Sequence, residues 1–318
     1  MFARNKNVLF TQKILLLLGY VIFLSFTGCK ENVEDSPAFA KAKKAPPTTL
    51  SPATSQRILS QEWQDYWYAG KAEITSYKLS QSRYGQLREG TAALIYVTED
   101  FLPNEQVKAN RQAASTIPVL KLNTTKKFIT GIYPYSVMNS TFYPVKDATH
   151  ALKISQSIQE WCGHVYMQLN TREDFKIDSH SYFEGEADQN VTLPLAILEN
   201  ELWTQIRLNP AALPTGKLDI IPNFEFIQMR HAELKAYSAT ATLNEDKYVI
   251  EYSKLKRKVT IFFNPLFPHI IEGWEETYQD TRGGSVMTTS AKKITTIKSD
   301  YWNKNRTADE YLRENLEL

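Results

Sequence analysis

One stretch, Glu160-Trp161-Cys162-Gly163-His164-Val165-Tyr166-Met167-Gln168-Leu169, gathers more potential chemistry than any other part of the sequence. Side chains of a strand alternate between its faces. Trp161, Gly163, Val165, Met167 and Leu169 then share one face, and Glu160, Cys162, His164, Tyr166 and Gln168 share the other. A thiol and an imidazole on one face could form a thiolate–imidazolium pair, the basis of cysteine nucleophilic catalysis. Residues i and i+2 of a strand stand about 7 Å apart, and the sequence offers no third group to orient the pair. The competing reading is a half-polar strand that lines a barrel or faces water, with Cys162 a slow-reacting, buried thiol.

A second set, His180, Tyr182, Glu184, Glu186 and Asp188, is all of one parity. If segments 160–169 and 175–184 pair as a hairpin, Cys162 falls opposite Glu184 and His164 opposite Tyr182. His164, His180 and Glu184 could then offer nitrogen and oxygen ligands to zinc or another divalent ion. Without such a site, 184–190 is a solvated acidic turn leading into a helix, and no metal or cofactor is expected. Aromatic segments Tyr66-Trp67-Tyr68, Tyr133-Pro134-Tyr135, Phe142-Tyr143 and Trp274 could line a groove, but aromatic side chains are ordinary core material of pleated sheets. Core is the expectation for them. The motifs GxSxG, GxxxxGK[ST], HExxH and CxxC do not occur in the sequence, which removes several common enzyme classes.

The elements that must position these residues are mostly strands. Apolar residues recur at spacings of three and four over 55–69, the period of a helix, and then the pattern changes to alternation. Strands are expected at 71–82, 91–98, 117–122, 127–133, 140–145, 151–158, 160–170 and 175–183. They resume at 217–221, 225–230, 248–252, 259–263, 272–278, 285–289 and 292–298, with 103–116 a polar excursion and Gly283-Gly284 a hairpin turn. One internal helix is expected from Pro194, where a missing N–H costs nothing, with Leu195, Leu198, Leu202 and Ile206 as its apolar stripe. A polar helix over 307–316 ends the chain. Many short strands without crossover helices predict a mainly β protein, an antiparallel β-barrel or half-barrel of curved sheet.

Composition narrows the partners. Among 318 residues, Lys+Arg number 37 and Asp+Glu 35. Arg4, Lys6 and Lys13 lie in the first thirteen positions, and without them the balance is 34 against 35. No basic field remains to hold nucleic acid. Those three cations precede an apolar run over 14–26, too short for the roughly 20 residues a membrane-spanning helix takes. A basic start, a short apolar run and small residues before a cut describe a secretory signal. Phe26-Thr27-Gly28-Cys29 resembles the bacterial lipobox, in which the cysteine receives lipid. This predicts a signal peptide over 1–28, lipidation of Cys29, a flexible Pro-, Ala- and Lys-rich tether over 29–54, and one β-rich domain over 55–318. Lys30-Glu31-Asn32-Val33-Glu34-Asp35 is either a surface-export tether or a solvated linker. Cys29 and Cys162 are the only cysteines, so a disulfide framework is excluded.

The segments Trp67-Tyr68-Ala69-Gly70-Lys71-Ala72-Glu73-Ile74, Gln159-Glu160-Trp161-Cys162-Gly163-His164-Val165-Tyr166 and Ser181-Tyr182-Phe183-Glu184-Gly185-Glu186-Ala187-Asp188, followed by Glu272-Gly273-Trp274-Glu275-Glu276, resemble a family of bacterial envelope lipoproteins of unestablished function. The likeness runs over about 60–280. Members are sometimes labelled "septum formation inhibitor Maf", a label that implies a cytoplasmic nucleotide pyrophosphatase of α/β fold. Leu79-Ser80-Gln81-Ser82-Arg83 is the nearest match to that enzyme's Ser-x-Arg-Arg start and lacks the second Arg, so no catalytic residue is carried over. The combined expectation is a lipid-anchored, non-enzymatic protein of the bacterial cell envelope, at the outer membrane, binding a lipid, glycan or protein partner. The alternative is an envelope hydrolase using Cys162 and His164 or a metal site. A large apolar cavity would mark a lipid carrier.

Overall fold

Stretches in which every second residue is apolar run through the strands, and that alternation makes one sheet with a buried face. In β2 (Gln86–Leu102), Ala92, Leu94 and Tyr96 are buried to within 1% of completely. In β7 (Gly163–Thr171), Val165, Met167 and Leu169 are buried while the residues between them are partly exposed. The structure is a computed structural model that describes residues 57–147, 149–279 and 284–318. The signal segment, Cys29 and the tether lie outside the described residues.

Sixteen strands join in one sheet. Its first half is β1 (Ala72–Arg83), β2, β3 (Val107–Lys108), β4 (Ile117–Thr130), β5 (Tyr133–Pro144), β6 (Lys153–Glu160), β7, β8 (Phe175–His180) and β9 (Gln189–Leu193). The second half is β10 (Ile197–Leu198), β11 (Gly216–Ile221), β12 (Tyr237–Leu243), β13 (Lys247–Tyr252), β14 (Arg257–Phe263), β15 (Ile271–Gln279) and β16 (Val286–Ser299). The spatial order runs from β10 through β16 to β1, and on through β2 and β4 to β9, with β3 beside β2. Every pairing is antiparallel except β10 with β11. The edge strands β9 and β10 are consecutive in sequence, joined by Pro194-Leu195-Ala196, yet no ladder pairs them among the described residues. The sheet therefore curls into a barrel-like wall that hydrogen bonds do not close, which bears out the expected fold class.

The interior is filled by helices. All but two residues of α2 (Glu199–Leu208) are buried, and most of α3 (Phe224–Arg230) is too. Charge carried inside is paired, because an unpaired buried charge is costly. Arg207 of α2 donates to both carboxylate oxygens of Glu73 at 2.6 Å, and Arg257 of β14 donates to Glu199 at 2.5 and 2.7 Å. Glu201 accepts from the Ala151 N–H at 2.7 Å and meets His150 Nδ1 at 3.0 Å, tying α2 to the loop before β6. Small helices α1 (Gln61–Trp67) and α4 (Tyr311–Asn315) lie outside the strand run. Among the described residues, no helix is long and apolar enough to cross a membrane.

Several sequence expectations need correction. Residues 225–230, read as a strand, are helix α3; Phe224, Phe226, Ile227 and Met229 are a short apolar set that periodicity alone cannot assign. The helix expected from Pro194 starts at Glu199, and Ile197 and Leu198 before it are strand β10. Two pairs of expected strands each merge into one, β4 and β16; in β4 the polar middle is carried by Lys126, buried and paired with Glu225 at 2.7 Å. The supposed acidic turn 184–190 ends in β9, and β12 had no expectation at all. The first helix is shorter than 55–69, and the last is a 3-10 turn followed by α4.

Candidate functional site: an aromatic rim

Strand directions place the β1–β2, β4–β5, β6–β7 and β8–β9 turns at one end of the sheet. The chain enters the domain at the other end, where Arg57 donates to the Val145 carbonyl at 2.6 Å just past β5. Twelve-residue β1 spans the distance between, about 35–40 Å at the rise of a strand.

Residues 160–163 belong to this rim and are not a continuous strand. Glu160 pairs with Gly163, so Trp161 and Cys162 form the two-residue turn between β6 and β7. Register from β7 to β8 is the one expected, with Tyr166 opposite His180, but the ladder stops there, before Cys162 can face Glu184. Cys162 is exposed, against the expectation of a buried thiol. A two-residue turn has no inner face to bury it. His164 is exposed as well. His180 instead meets Asp188 at 3.2 Å and stacks on Tyr166, while Glu184 points to solvent. His164, His180 and Glu184 are not brought together, and among the described residues no group of three His, Cys, Asp or Glu is placed to hold a metal.

What the rim does bring together is aromatic. Trp161 is 68% exposed, although a turn position is ordinarily filled by Gly, Asn, Asp, Pro or Ser. Its ring centroid lies 6.4 Å from that of Tyr133, with 33° between the planes. Tyr133 leads inward to Tyr135 at 5.9 Å, and Tyr135 stacks on Phe128 at 4.9 Å and 7°. A continuous run of rings thus passes from the core to the surface. The neighbouring β4–β5 turn, Gly131-Ile132, carries a second apolar residue, 81% exposed.

Polar groups around these rings are held in place. The Glu160 carboxylate accepts from the Cys162 N–H at 2.8 Å and from the Tyr182 hydroxyl at 3.1 Å. Tyr182 lies over Gly163, where an added Cβ would sit 2.8 Å from its ring, so glycine is what lets the ring approach. At the β1–β2 turn, Arg83 donates to the hydroxyls of Tyr84 at 3.1 Å and Tyr135 at 3.2 Å, and to the Met229 carbonyl of α3 at 2.8 Å. The two hydroxyls are 2.8 Å apart. Burial, reinforced at Tyr182 by the Glu160 charge, raises the phenols of Tyr135 and Tyr182 well above their ordinary value, so both stay neutral. Beyond Tyr182, His231 Nδ1 meets Glu186 at 2.5 Å and the Phe183 ring packs edge-on to His231. Burial would raise the Glu186 carboxyl, but hydrogen bonds from His231 and Ser181 hold it below its ordinary value.

The aromatic segments split between core and rim. Trp67, Tyr135, Tyr143 and Trp274 are buried; Tyr133 reaches the rim. Arg83, Tyr84 and Glu160 escaped the sequence reading as site residues. The visible signal was apolar residues, Ile132 and Trp161, in places where turn chemistry calls for polar ones. The interior offers less. A cleft of about 30 Å³ lies between α2, α3, β4 and β15, lined by Lys126, Glu225, Asn200, Trp203 and Trp274. That is room for a water or two. A cleft this small does not hold a lipid chain.

No protein-family model matches the chain. No curated protein matches it either. Among solved structures, a β-barrel-like protein of a domain of unknown function from Brucella abortus is similar over 72% of this chain and 98% of its own, at 8% identity and a TM-score of 0.43. A porin-like protein from Bacteroides uniformis is similar over 70% of this chain and 95% of its own, at 9% identity and a TM-score of 0.20. This chain is a mainly antiparallel, barrel-like β protein with an uncovered aromatic rim.

Proposed function

We propose that the protein is a non-enzymatic binding module of the bacterial cell envelope, held at the outer membrane by lipid on Cys29, and that it takes its partner at the aromatic rim. The observation that carries the reading is Trp161, a large ring fixed in a two-residue turn with most of its surface in water. Rigid, exposed aromatic side chains supply contact area at low entropic cost and are the commonest binding hot spots. The filled interior supports an outer site over a cavity, and so a glycan or protein over an engulfed lipid. Cys162 on the turn and His164 in β7 are both exposed to water, so the hydrolase alternative gains nothing from their geometry.

Hydrogen exchange tests the site. The full chain in detergent is mixed with fractions of the envelope: glycan, protein and lipid. Slowed exchange is expected at turns 130–133, 160–163 and 181–188. Protection confined to the opposite end, around 57–68 and 300–315, or in no segment with any fraction, refutes the rim as the binding site.

A further inference from the structure

The rim alternates ring faces with fixed hydrogen-bonding groups, and that alternation has a chemical counterpart. A pyranose with equatorial substituents presents a flat face of C–H bonds bordered by hydroxyls. We propose, resting on the rim as binding site, that the partner is a neutral, β-linked glycan chain lying across Trp161 and Tyr133. Trp161 and Tyr133, with centroids 6.4 Å apart and planes within 33° of each other, form a strip on which adjacent sugar rings can stack. The Glu160 carboxylate beside them is already oriented by two donors and accepts from sugar hydroxyls at low reorganisation cost. The Tyr84 and Tyr135 hydroxyls, backed by Arg83, supply a second polar point where the β1–β2 turn meets β5.

Other occupants fit less well. A protein partner of ordinary size takes about 800 Å² per side around an apolar centre. Here the exposed apolar residues, Trp161, Ile132 and Ile129 among them, are interleaved with charged and hydroxyl groups. A bilayer surface in bacteria carries anionic headgroups, which Glu160 beside the rings and the exposed Glu184 on the β8–β9 loop would repel. The same two carboxylates disfavour anionic polysaccharides. Neutrality of the glycan follows from that charge, and β-linkage from the need for consecutive flat faces.

The test is titration of the full chain in detergent with cellotetraose and chitotetraose, read by calorimetry and by tryptophan fluorescence. Binding is expected with a change in Trp161 emission that vanishes in Trp161→Phe, while heparin gives no signal. Trp161→Ala should weaken binding at least tenfold, and Tyr133→Ala severalfold. Trp302→Ala, an exposed tryptophan at the other end of the sheet, should leave it unchanged. Circular dichroism melts confirm that each variant folds. No binding of either neutral oligosaccharide, or binding that Trp161→Ala leaves intact, overturns the proposal. If the rim turns are then protected in hydrogen exchange by a protein or lipid fraction, the glycan has failed and the rim reading survives. Protection elsewhere ends both.

Discussion

The Glu73–Arg207 pair pins α2 to the start of β1, and its removal should be felt across the domain. Both side chains are at most 1% exposed, and two hydrogen bonds of 2.6 Å join them. Glu73 also accepts from the Tyr66 hydroxyl at 2.5 Å, and Arg207 Nε donates to the Pro268 carbonyl at 2.9 Å. The guanidinium lies 4.6 Å from the Tyr96 ring centroid and 5.1 Å from that of Trp67. Glu73→Gln keeps the shape and removes the charge, stranding a cation in a dry site. Breaking one side of a buried pair costs about 3–5 kcal/mol. Against a total of about 5–15 kcal/mol, that is a large share. Arg207→Met should cost as much. The double variant should cost far less than the sum, because replacing both partners removes the stranded charge along with the attraction.

Urea unfolding of the three variants measures this. At slopes of about 1–3 kcal/mol per molar, each single change should lower the midpoint by roughly 1 M or more. Burial would raise the Glu73 carboxyl, but Arg207 and the Tyr66 hydroxyl hold it below its ordinary value. A carboxyl depressed on folding stabilises above its unfolded pKa, and the stabilisation fades as pH falls through the folded one. Wild type should therefore lose its advantage over the double variant in acid. Single-variant costs under about 1 kcal/mol, or additive losses in the double, would refute the assignment of a stranded charge.

Four further outcomes are expected. Cys162, exposed at a turn, should react with iodoacetamide in the native protein at close to the denatured rate; slow native labelling would mean that the turn is covered. Gly163→Ala should displace the Tyr182 ring and break its bond to Glu160, at a cost of about 1–3 kcal/mol in thermal melts; an unchanged melting temperature contradicts the contact. Burial alone would lower the His150 imidazole, but Glu201 raises it, so its contribution is full below the unfolded pKa and is lost as pH rises through the folded one. His150→Gln should thus cost on the order of 1 kcal/mol at pH 6 and little at pH 9, and a pH-independent difference rules this out. Cys29→Ala should release the protein from membranes, and palmitate label on that variant would remove the anchor from the proposal.

The wall of the barrel was legible because strand alternation is a short-range signal. In β13 and β14, Tyr248, Ile250, Tyr252 and Val259, Ile261, Phe263 alternate without interruption, and the hairpin stands where the pattern puts it. The register assumed for β7 against β8 is the one observed, though no residue pattern dictated it. Interior features were not legible. Helix α3 has seven residues, too few for a period to declare itself, and it is tied to β4 by Lys126 meeting Glu225 at 2.7 Å. The same holds for Arg83 and the two tyrosines, whose meeting depends on two turns, β1–β2 and β4–β5, separated in sequence and adjacent in space. Trp161 and Cys162 were read as strand because a turn of two residues leaves no break in an alternating pattern.

The sheet's seam lies in mid-chain, and its first and last long strands, β1 and β16, are neighbours at its centre. A growing polypeptide can complete the meander from β1 to β9 while the second half is still being made, but the outward edge of β1 has no mate until the final strand arrives. Ala72 must find Ser299 across more than two hundred intervening residues. Closing so long a loop is a slow, entropically costly step, and during the wait β1 offers twelve residues of open hydrogen-bonding edge to any stray strand. Loss of the last strand to a premature stop or a protease would leave that edge permanently bare, so the C-terminal end of this chain is the place where damage turns most directly into aggregation.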